Sequence, residues 1–319
     1  MEGSDLKSFF LRQVHERGGF ACHHAHLDKA YLINPDSLSL SQESLQKKWK
    51  LYRELKKNYT EESLRKRIEK GIERLRAQGV SKCKTFIDAD SIVGLKPMKV
   101  AKEVKEKYKS LGFDLQIAVQ PLEGVLDPTT QKVFIDACEI ADVIGGLPDR
   151  DEHPEKHMDF IFSLAREMRK TVDVHVGQNN IPSERESEMV VDMVGKYGLE
   201  SRVNLVHAIS ISCQDKGDRR RIISKIKDSG TGVIVCPSAA LSMKQHSDRY
   251  APIHNSIAPV MELVEGGVEV MLGVDNIADL FMPLVDGDLW FECRLMMEAI
   301  RCYNLPLIAK IASCTRGFN

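Results

Sequence analysis

Histidines are concentrated near the start of the chain, in a stretch that otherwise resembles a buried strand. Residues 18–30, GGFACHHAHLDKA, hold three of the ten histidines of the chain. In a strand, alternate side chains point to the same face, so His24 and His26 would lie side by side with Ala25 opposite. Two neighbouring imidazoles can bind one metal ion. The stretch therefore predicts part of a metal site.

Three more residues of metal-ligand type end later strand candidates. His175 ends the fifth, His207 ends the sixth and Asp275 ends the eighth. One histidine at a strand end is usually a hydrogen-bonded core residue, but five ligand-type residues at equivalent ends indicate a metal site. His23 would face away from His24 and is interpreted as a packed or capping residue. Four other histidines fall in predicted loops and are interpreted as solvated: His153, His157, His246 and His254.

Short apolar runs alternate with helical patterns along most of the chain. The runs are nearly continuous in apolar residues, as expected for strands buried on both faces, and residues 61–80 are typical of the helices between them. Eight such units predict an α/β fold of the (β/α)8 TIM-barrel type, whose active sites lie at the carboxyl ends of the strands. An open doubly wound sheet is the alternative, but no GxGxxG turn follows the first strand. The strand candidates are residues 18–26, 83–90, 114–121, 141–148, 171–177, 202–209, 231–238 and 268–275.

Two segments stand outside this alternation. Residues 1–17 are predicted to be an N-terminal extension, and residues 18–319 to form the barrel domain. Residues 31–62, between the first strand and its helix, are long and polar. Such an insertion can cover the barrel mouth as a lid or form a dimer contact, and a solvated helical excursion is the alternative.

Composition excludes several classes of partner. The 319 residues include 45 basic and 46 acidic side chains, a formal net charge of −1, which does not suggest binding to nucleic acid or an anionic membrane. No apolar run approaches the roughly 18 residues needed to span a bilayer, and the first 20 residues lack the features of a secretory signal. Eight scattered cysteines without a CxxC pair are expected to be reduced. We therefore expect a cytoplasmic protein that binds neither nucleic acid nor a membrane.

The ordered set HxH, His, His and Asp on strands one, five, six and eight resembles the amidohydrolase superfamily, in its cytosine deaminase and N-isopropylammelide amidohydrolase branch. The supporting stretches are HAHLDKA, QIAVQPLEGVL, ADVIGGLP, VDVHVGQ, VNLVHA and LGVDNIADLFMPL. The resemblance implies one divalent ion, zinc or iron, held by His24, His26, His175 and Asp275. It also implies that His207 and Asp275 move the protons of a metal-activated water. The fourth strand has no terminal lysine to bridge two metals, so a binuclear centre is not expected.

Several positions expected to contact substrate depart from the deaminase pattern. Gln178 stands where those enzymes carry a proton-relaying glutamate, Asn276 replaces an acidic residue, and Leu122 replaces the glutamine that reads a pyrimidine edge. Gln120 and Lys29 are also expected to contact the substrate. The pattern predicts metal-dependent cleavage of a C–N bond in a small cyclic or amide substrate, without efficient cytosine deamination. The alternative is a catalytically impaired or truncated barrel retained for binding or assembly.

The superfamily usually carries a small β-sandwich built from segments that flank the barrel. Neither residues 1–17 nor the residues after 300 resemble sandwich strands. We therefore expect a barrel that lacks most or all of the sandwich, as a naturally short form, a truncated product or a fragment. A homo-oligomer is one way to cover the apolar surface that the sandwich would otherwise contact.

Overall fold

Eight parallel strands form one sheet in the order of the chain, and the eighth returns to the first. The structure is a computed structural model that describes residues 5–43, 45–243 and 257–318, so that His246 and His254 lie outside the described residues. A parallel bridge between Ala25 and Asp275 closes the sheet. This confirms the predicted (β/α)8 barrel. The strands are β1 (Ala21–Ala25), β2 (Lys82–Asp88), β3 (Asp114–Gln120), β4 (Val143–Gly146), β5 (Thr171–Val176), β6 (Val203–His207), β7 (Gly232–Val235) and β8 (Val270–Leu272).

Twelve helices surround this sheet in the described part of the chain, together with three short 3-10 segments at residues 35–42, 148–150 and 209–213. The strands are almost entirely buried because helices cover their outer face and side chains fill the interior. The helices are α1 (Leu6–Glu16), α2 (Leu45–Lys57), α3 (Glu61–Arg76), α4 (Lys96–Lys109), α5 (Pro128–Ile140), α6 (Pro154–Met168), α7 (Glu186–Tyr197), α8 (Lys216–Asp228), α9 (Pro237–Ser242), α10 (Val260–Glu265), α11 (Leu289–Ile300) and α12 (Leu305–Ala312).

Helix α3 shows how local sequence sets these elements. Thr60 and Ser63 form a capping box, in which each side chain accepts a hydrogen bond from the other residue's backbone amide. The apolar residues then recur every three or four positions and face the sheet. The helix ends at Arg76, just before Gly79 at a φ of +82°. The buried stripe comprises Leu64, Ile68, Ile72 and Leu75.

Strand β8 is shorter than the apolar run that predicts it. Regular pairing of β8 ends at Leu272, although Asp275, with a φ of +62°, still forms the isolated parallel bridge to Ala25. Gly273 packs against β1 so closely that a Cβ there would lie 2.6 Å from the Cβ of His24. A glycine is therefore needed where the end of β8 passes the first strand.

The amino-terminal and carboxy-terminal segments pack together on the barrel. Helix α1 lies against α12, and Phe10 contacts the ring of Trp290 at a centroid distance of 5.2 Å. Residues 314–318 cover the amino ends of the strands, where the carbonyl oxygen of Cys314 lies 2.7 Å from Nε2 of His23. Every named strand in the described residues belongs to the barrel sheet.

The structure corrects the interpretation of His157 as a solvated loop histidine. It lies in α6 and is fully buried. Its Nδ1 is 2.7 Å from an oxygen of Asp151, and its Nε2 accepts a hydrogen bond from the amide of Leu147 at 3.0 Å. The preceding Pro154 begins a helix rather than a loop, because proline is favoured in the first turn. His157 therefore fixes the loop after β4.

Candidate active site

Four imidazoles converge inside the barrel at the carboxyl ends of β1, β5 and β6. The ring centroid of His24 lies 4.8 Å from those of both His26 and His175, and 5.7 Å from that of His207. Nitrogen atoms of His24, His175 and His207 all lie within 4.8 Å of one another. All four side chains are buried. The structure thus brings together the four histidines that the sequence singled out.

Asp275 adds a carboxylate to this cluster. Its Oδ1 lies 3.4 Å from Nε2 of His24 and 3.2 Å from Nε2 of His26, while its Oδ2 lies 3.7 Å from Nε2 of His207. Both His207 and Asp275 have positive φ angles, of 75° and 62°. Such conformations carry strain in residues other than glycine and concentrate at functional sites. The barrel therefore holds both side chains in orientations that a regular strand end would not give.

Several buried nitrogen atoms of the cluster have no hydrogen-bond partner among the residues that the structure describes. Both ring nitrogens of His24 are in this state, as is Nε2 of His175. Nδ1 of His175 lies 3.3 Å from the carbonyl oxygen of Gly146, an arrangement that leaves Nε2 directed at the cluster. Buried polar atoms are normally paired, so several unpaired ones in a single volume call for a ligand. Imidazole nitrogens and a carboxylate are the donor set that zinc or iron accepts.

Protonation states favour metal binding. Burial lowers the pKa of His24, lowers that of His175 well below its ordinary value, and lowers that of His207 to about 4. Burial alone would raise the pKa of Asp275, but the adjacent imidazoles of His24 and His26 hold it well below its ordinary value. At neutral pH the imidazoles of His24, His175 and His207 are therefore neutral and the carboxylate is ionised, which are the forms that coordinate metals.

Cys236 lies beside the cluster and was not singled out from the sequence. Its Sγ, a nitrogen of His24 and an oxygen of Asp275 lie within 4.8 Å of one another. Burial raises the pKa of this thiol well above its ordinary value, so it remains protonated. The strand-end rule that identified the histidines would also have found it, because Cys236 directly follows β7.

The residues expected to contact substrate lie at the same end of the barrel. Gln120 ends β3 and is buried, and Leu122 is 4% exposed two residues later. Asn276 follows Asp275 and is also buried, whereas Gln178 is half-buried after β5. These placements agree with a role in lining the mouth.

Lys29 is held by buried carboxylates. Its Nζ lies 2.6 Å from Oδ1 of Asp88 and 3.3 Å from Oδ1 of Asp28. A second buried lysine, Lys56 of α2, has its Nζ 2.5 Å from Oδ2 of Asp90 and 3.6 Å from Oδ2 of Asp88. We call these five residues the mouth ion network. Sequence patterns did not indicate that Lys56 belongs to this network, because α2 lies in the polar insertion.

Helix α2, within the inserted segment 31–62, packs over the barrel mouth, a position that favours the lid interpretation. On α2, Tyr52 is fully buried and its hydroxyl donates a 2.5 Å hydrogen bond to Asp279, beyond β8. Its ring stacks on Phe281 at a centroid distance of 4.8 Å. The buried positions of Tyr52 and Lys56 argue against a wholly solvated excursion.

No family model matches the chain, but individual proteins do. An uncharacterised protein of Haemophilus influenzae is 33% identical over 264 residues, which are 81% of this chain and 95% of that protein. N-isopropylammelide isopropyl amidohydrolase of Pseudomonas sp. strain ADP is 23% identical over 282 residues, 85% of this chain and 65% of the relative. Pterin deaminase of Rhizobium rhizogenes is 22% identical over 294 residues, 90% of this chain and 65% of the relative. The chain thus spans less than two thirds of these last two proteins.

Solved structures share the fold. A 5-methylcytosine deaminase from Klebsiella pneumoniae aligns with a TM-score of 0.83 at 24% identity, covering 92% of this chain and 75% of the other. N-isopropylammelide isopropylaminohydrolase from Burkholderia multivorans aligns with a TM-score of 0.78 at 20% identity, covering 95% and 77%. None of the helices in the described part of this chain combines the length and apolar character needed to cross a membrane.

Proposed function

The chain belongs to the amidohydrolase superfamily, and from that membership we propose that it is a metal-dependent hydrolase acting on a carbon–nitrogen bond, other than a peptide bond, of a small cyclic or amide substrate. Relatives in the deaminase and isopropylammelide hydrolase branch support this activity. The observation that carries the proposal is the convergence of His24, His26, His175 and Asp275, with unpartnered buried nitrogens on His24 and His175.

Those four residues would hold one zinc or iron ion. A divalent ion in such a site lowers the pKa of a water molecule and makes it a nucleophile at neutral pH. The single-ion assignment is supported by β4, which ends in Gly146 where a bridging lysine would be needed for two ions. Asp275 keeps its second oxygen toward His207 and is therefore able to serve in proton transfer as well.

His207 and Asp275 would move the protons. Neutral His207 can accept a proton from the attacking water, because burial lowers its pKa to about 4 and leaves the base form populated. The same pair can return the proton to the leaving nitrogen. Gln178 cannot relay a proton at neutral pH, but it can hold a substrate by hydrogen bonds, as can Gln120 and Asn276.

The first experiment measures release of ammonia or alkylamine by the zinc-loaded or iron-loaded protein over a panel of cyclic amides and aminoheterocycles. His207→Asn should reduce turnover at least roughly a hundredfold, the scale of a general acid–base group. His15→Asn, at an exposed site in α1, is the matched control and should leave turnover unchanged. Near-normal turnover by His207→Asn would remove that residue from the mechanism.

Cytosine is expected to be a poor substrate. Leu122 offers no hydrogen bond to a pyrimidine edge, and a buried polar group left unpaired costs on the order of 1–3 kcal/mol. Gln178→Glu alone should therefore not confer efficient deamination, because recognition by Leu122 would still fail. This is tested by measuring ammonia release from cytosine by the wild type, by Gln178→Glu and by the double variant that also carries Leu122→Gln. Efficient deamination by the wild type would contradict it.

The second candidate is a catalytically impaired barrel retained for binding or assembly. Gln178 favours it, because this residue stands where related deaminases relay a proton. A metal-loaded protein that turns over no member of the panel, while binding one with its metal ligands intact, would favour this candidate over hydrolysis.

A further inference from the structure

A buried thiol lies beside the candidate metal ligands and takes no part in the proposed function. Cys236 directly follows β7, and its Sγ lies within 4.8 Å of a ring nitrogen of His24 and of a carboxylate oxygen of Asp275. Those two atoms also lie within 4.8 Å of each other. Donor atoms of three kinds, from β1 and from the ends of β7 and β8, therefore share one small volume. We call these three residues the thiol triad.

Packing where the barrel closes holds the thiol in this position. Gly273 directly follows β8, the strand between β7 and β1. A Cβ at residue 273 would lie 2.6 Å from the Cβ of His24 and 3.0 Å from Sγ of Cys236. Because glycine has no side chain, the imidazole and the thiol can approach each other across the end of β8.

His24 belongs to two groups of donor atoms. Its side chain is fully buried, and neither ring nitrogen has a hydrogen-bond partner among the residues that the structure describes. A nitrogen of His24 lies within 4.8 Å of nitrogens of His175 and His207 in one group, and within the same distance of the thiol and the carboxylate in the other. Buried polar atoms are normally paired, so unpaired nitrogens beside a thiol and a carboxylate call for a ligand.

The two groups differ in the ions that they favour. Imidazole nitrogen suits zinc or iron, whereas thiolate sulfur is a soft ligand that favours soft ions such as cadmium(II) or copper(I). When Cys236 binds an ion, its S–H bond breaks, the sulfur electron pair forms the bond to the metal, and the proton leaves to the solvent. A soft ion gains more from that bond than zinc, for which imidazoles and a carboxylate are available without loss of a thiol proton.

We propose that His24, Cys236 and Asp275 form a binding site for a soft, thiophilic ion such as cadmium(II), which overlaps the site of the hydrolytic ion. Both sites use His24 and Asp275, so the two ions compete, whereas His26 and His175 serve only the hydrolytic ion. The inference goes beyond the proposed function, because it concerns an ion that the hydrolytic reaction does not use.

X-ray absorption at the cadmium edge tests the site in the wild-type chain. Metal-free protein with one equivalent of cadmium chloride should show one sulfur neighbour per ion, together with nitrogen and oxygen neighbours. The same salt added to zinc-loaded protein should release zinc in step with the cadmium bound, as measured by elemental analysis after dialysis. Cadmium surrounded only by nitrogen and oxygen, or zinc retained beside a full equivalent of cadmium, would overturn the proposal.

Two variants separate the two groups of donors. Cys236→Ser should remove the sulfur neighbour and weaken cadmium binding by more than roughly tenfold, the lower end of what loss of an outer-shell partner costs a metal site, while zinc content stays at the wild-type level. His175→Ala should do the reverse, losing zinc while it still binds cadmium through sulfur. Cys138→Ser, at a buried cysteine of α5, is the matched control and should bind both ions as the wild type does.

The variants can also contradict the proposal. A sulfur neighbour that persists in Cys236→Ser would show that another thiol binds the cadmium. Loss of zinc together with cadmium from Cys236→Ser, or of both ions from His175→Ala, would contradict the division into two groups. A zinc-loaded wild type that releases no amine from any substrate would instead reject the proposed function, and it would leave the thiol triad unaffected.

Discussion

Two adjacent histidines show how the two ends of the barrel differ. His23 and His24 are both fully buried on β1. Nε2 of His23 lies 2.7 Å from the carbonyl oxygen of Cys314, and its ring packs edge-on against Phe318. Nδ1 of His23 and both ring nitrogens of His24 lack a hydrogen-bond partner in the described residues, but only the ring of His24 lies among three other imidazoles. Burial of a histidine therefore does not identify a site, whereas convergence of unpartnered nitrogens does.

Buried carboxylates also differ between the two ends of the barrel. At the amino ends of the strands, Lys84 pairs with Asp173 at 2.7 Å, and Asn204 donates a 2.7 Å hydrogen bond to the other oxygen of Asp173. That carboxylate is matched by a cation and an amide, and residues 314–318 cover it from solvent. The carboxylate of Asp275, at the other end, lies beside the imidazoles of His24, His26 and His207 and near the thiol of Cys236. The first arrangement supports stability and the second supports chemistry, as is general for this fold.

The largest effect is expected from His175→Ala. Removing one of four ligands should reduce metal content from about one ion per chain to almost none, a greater loss than the roughly 10–100-fold caused by removing an outer-shell partner. His23→Asn is the matched control at the other end of the barrel and should keep its metal. Elemental analysis of both purified variants checks this. Equal loss of metal in the two variants would contradict the distinction between the two ends of the barrel.

Lys84→Met should have the second-largest effect, and it should change only the stability of the protein. The substitution leaves Asp173 buried without its cation, which should lower the free energy of unfolding by about 4 kcal/mol. Metal content should remain that of the wild type. Lys82→Met, on the same strand but partly exposed beside Asp114, should cost less than about 1 kcal/mol. Urea unfolding provides the measurement, and metal loss in Lys84→Met would contradict the separation of roles.

Glu292 should give a smaller, pH-dependent effect. It is buried on α11 and accepts a 2.9 Å hydrogen bond from the amide of Ser238; burial raises its pKa from 4.5 to about 7. A raised carboxyl pKa means that the folded protein binds the proton more tightly, so stability is full below about pH 4.5 and declines as pH rises through 7. The decline is at most about 3 kcal/mol.

The measurement compares unfolding free energies of the metal-free protein at pH 4.5 and pH 8. Glu292→Gln should reduce the decline, because the amide does not ionise, while Asp279, Glu184 and Glu186, whose pKa values burial also raises, keep their contribution. Glu298→Gln, at an exposed position on the same helix, should leave the decline as it is in the wild type. A decline of equal size in all three proteins would show that Glu292 is not its source.

Local patterns in the sequence predicted the barrel and the histidines and aspartate that converge at one end of it. A continuous apolar run such as residues 171–177 indicates a strand buried on both faces, and the order of such runs gives the barrel. His175 and Asp275 could then be placed at one end without knowledge of packing. The end of β8 was harder to predict, because its early departure depends on the contact between Gly273 and His24.

The mouth ion network and the burial of Tyr52 could not be predicted in the same way. Tyr52 and Lys56 lie in a polar helix, and nothing in its pattern says that these two side chains become buried against residues far along the chain. Lys29 was expected near substrate, and the structure shows ion pairs with Asp88 and Asp28 that depend on the neighbouring strand. Cys236 could have been found, since it follows a predicted strand.

X-ray absorption of the zinc-loaded protein tests the central claim most directly, because it reports both the number and the type of ligand atoms. We expect one zinc per chain, surrounded by nitrogen and oxygen atoms at about 2.0–2.2 Å from His24, His26, His175 and Asp275. The protonated thiol of Cys236 should not contribute. A sulfur neighbour at about 2.3 Å, or a second zinc per chain, would contradict the mononuclear histidine–carboxylate site.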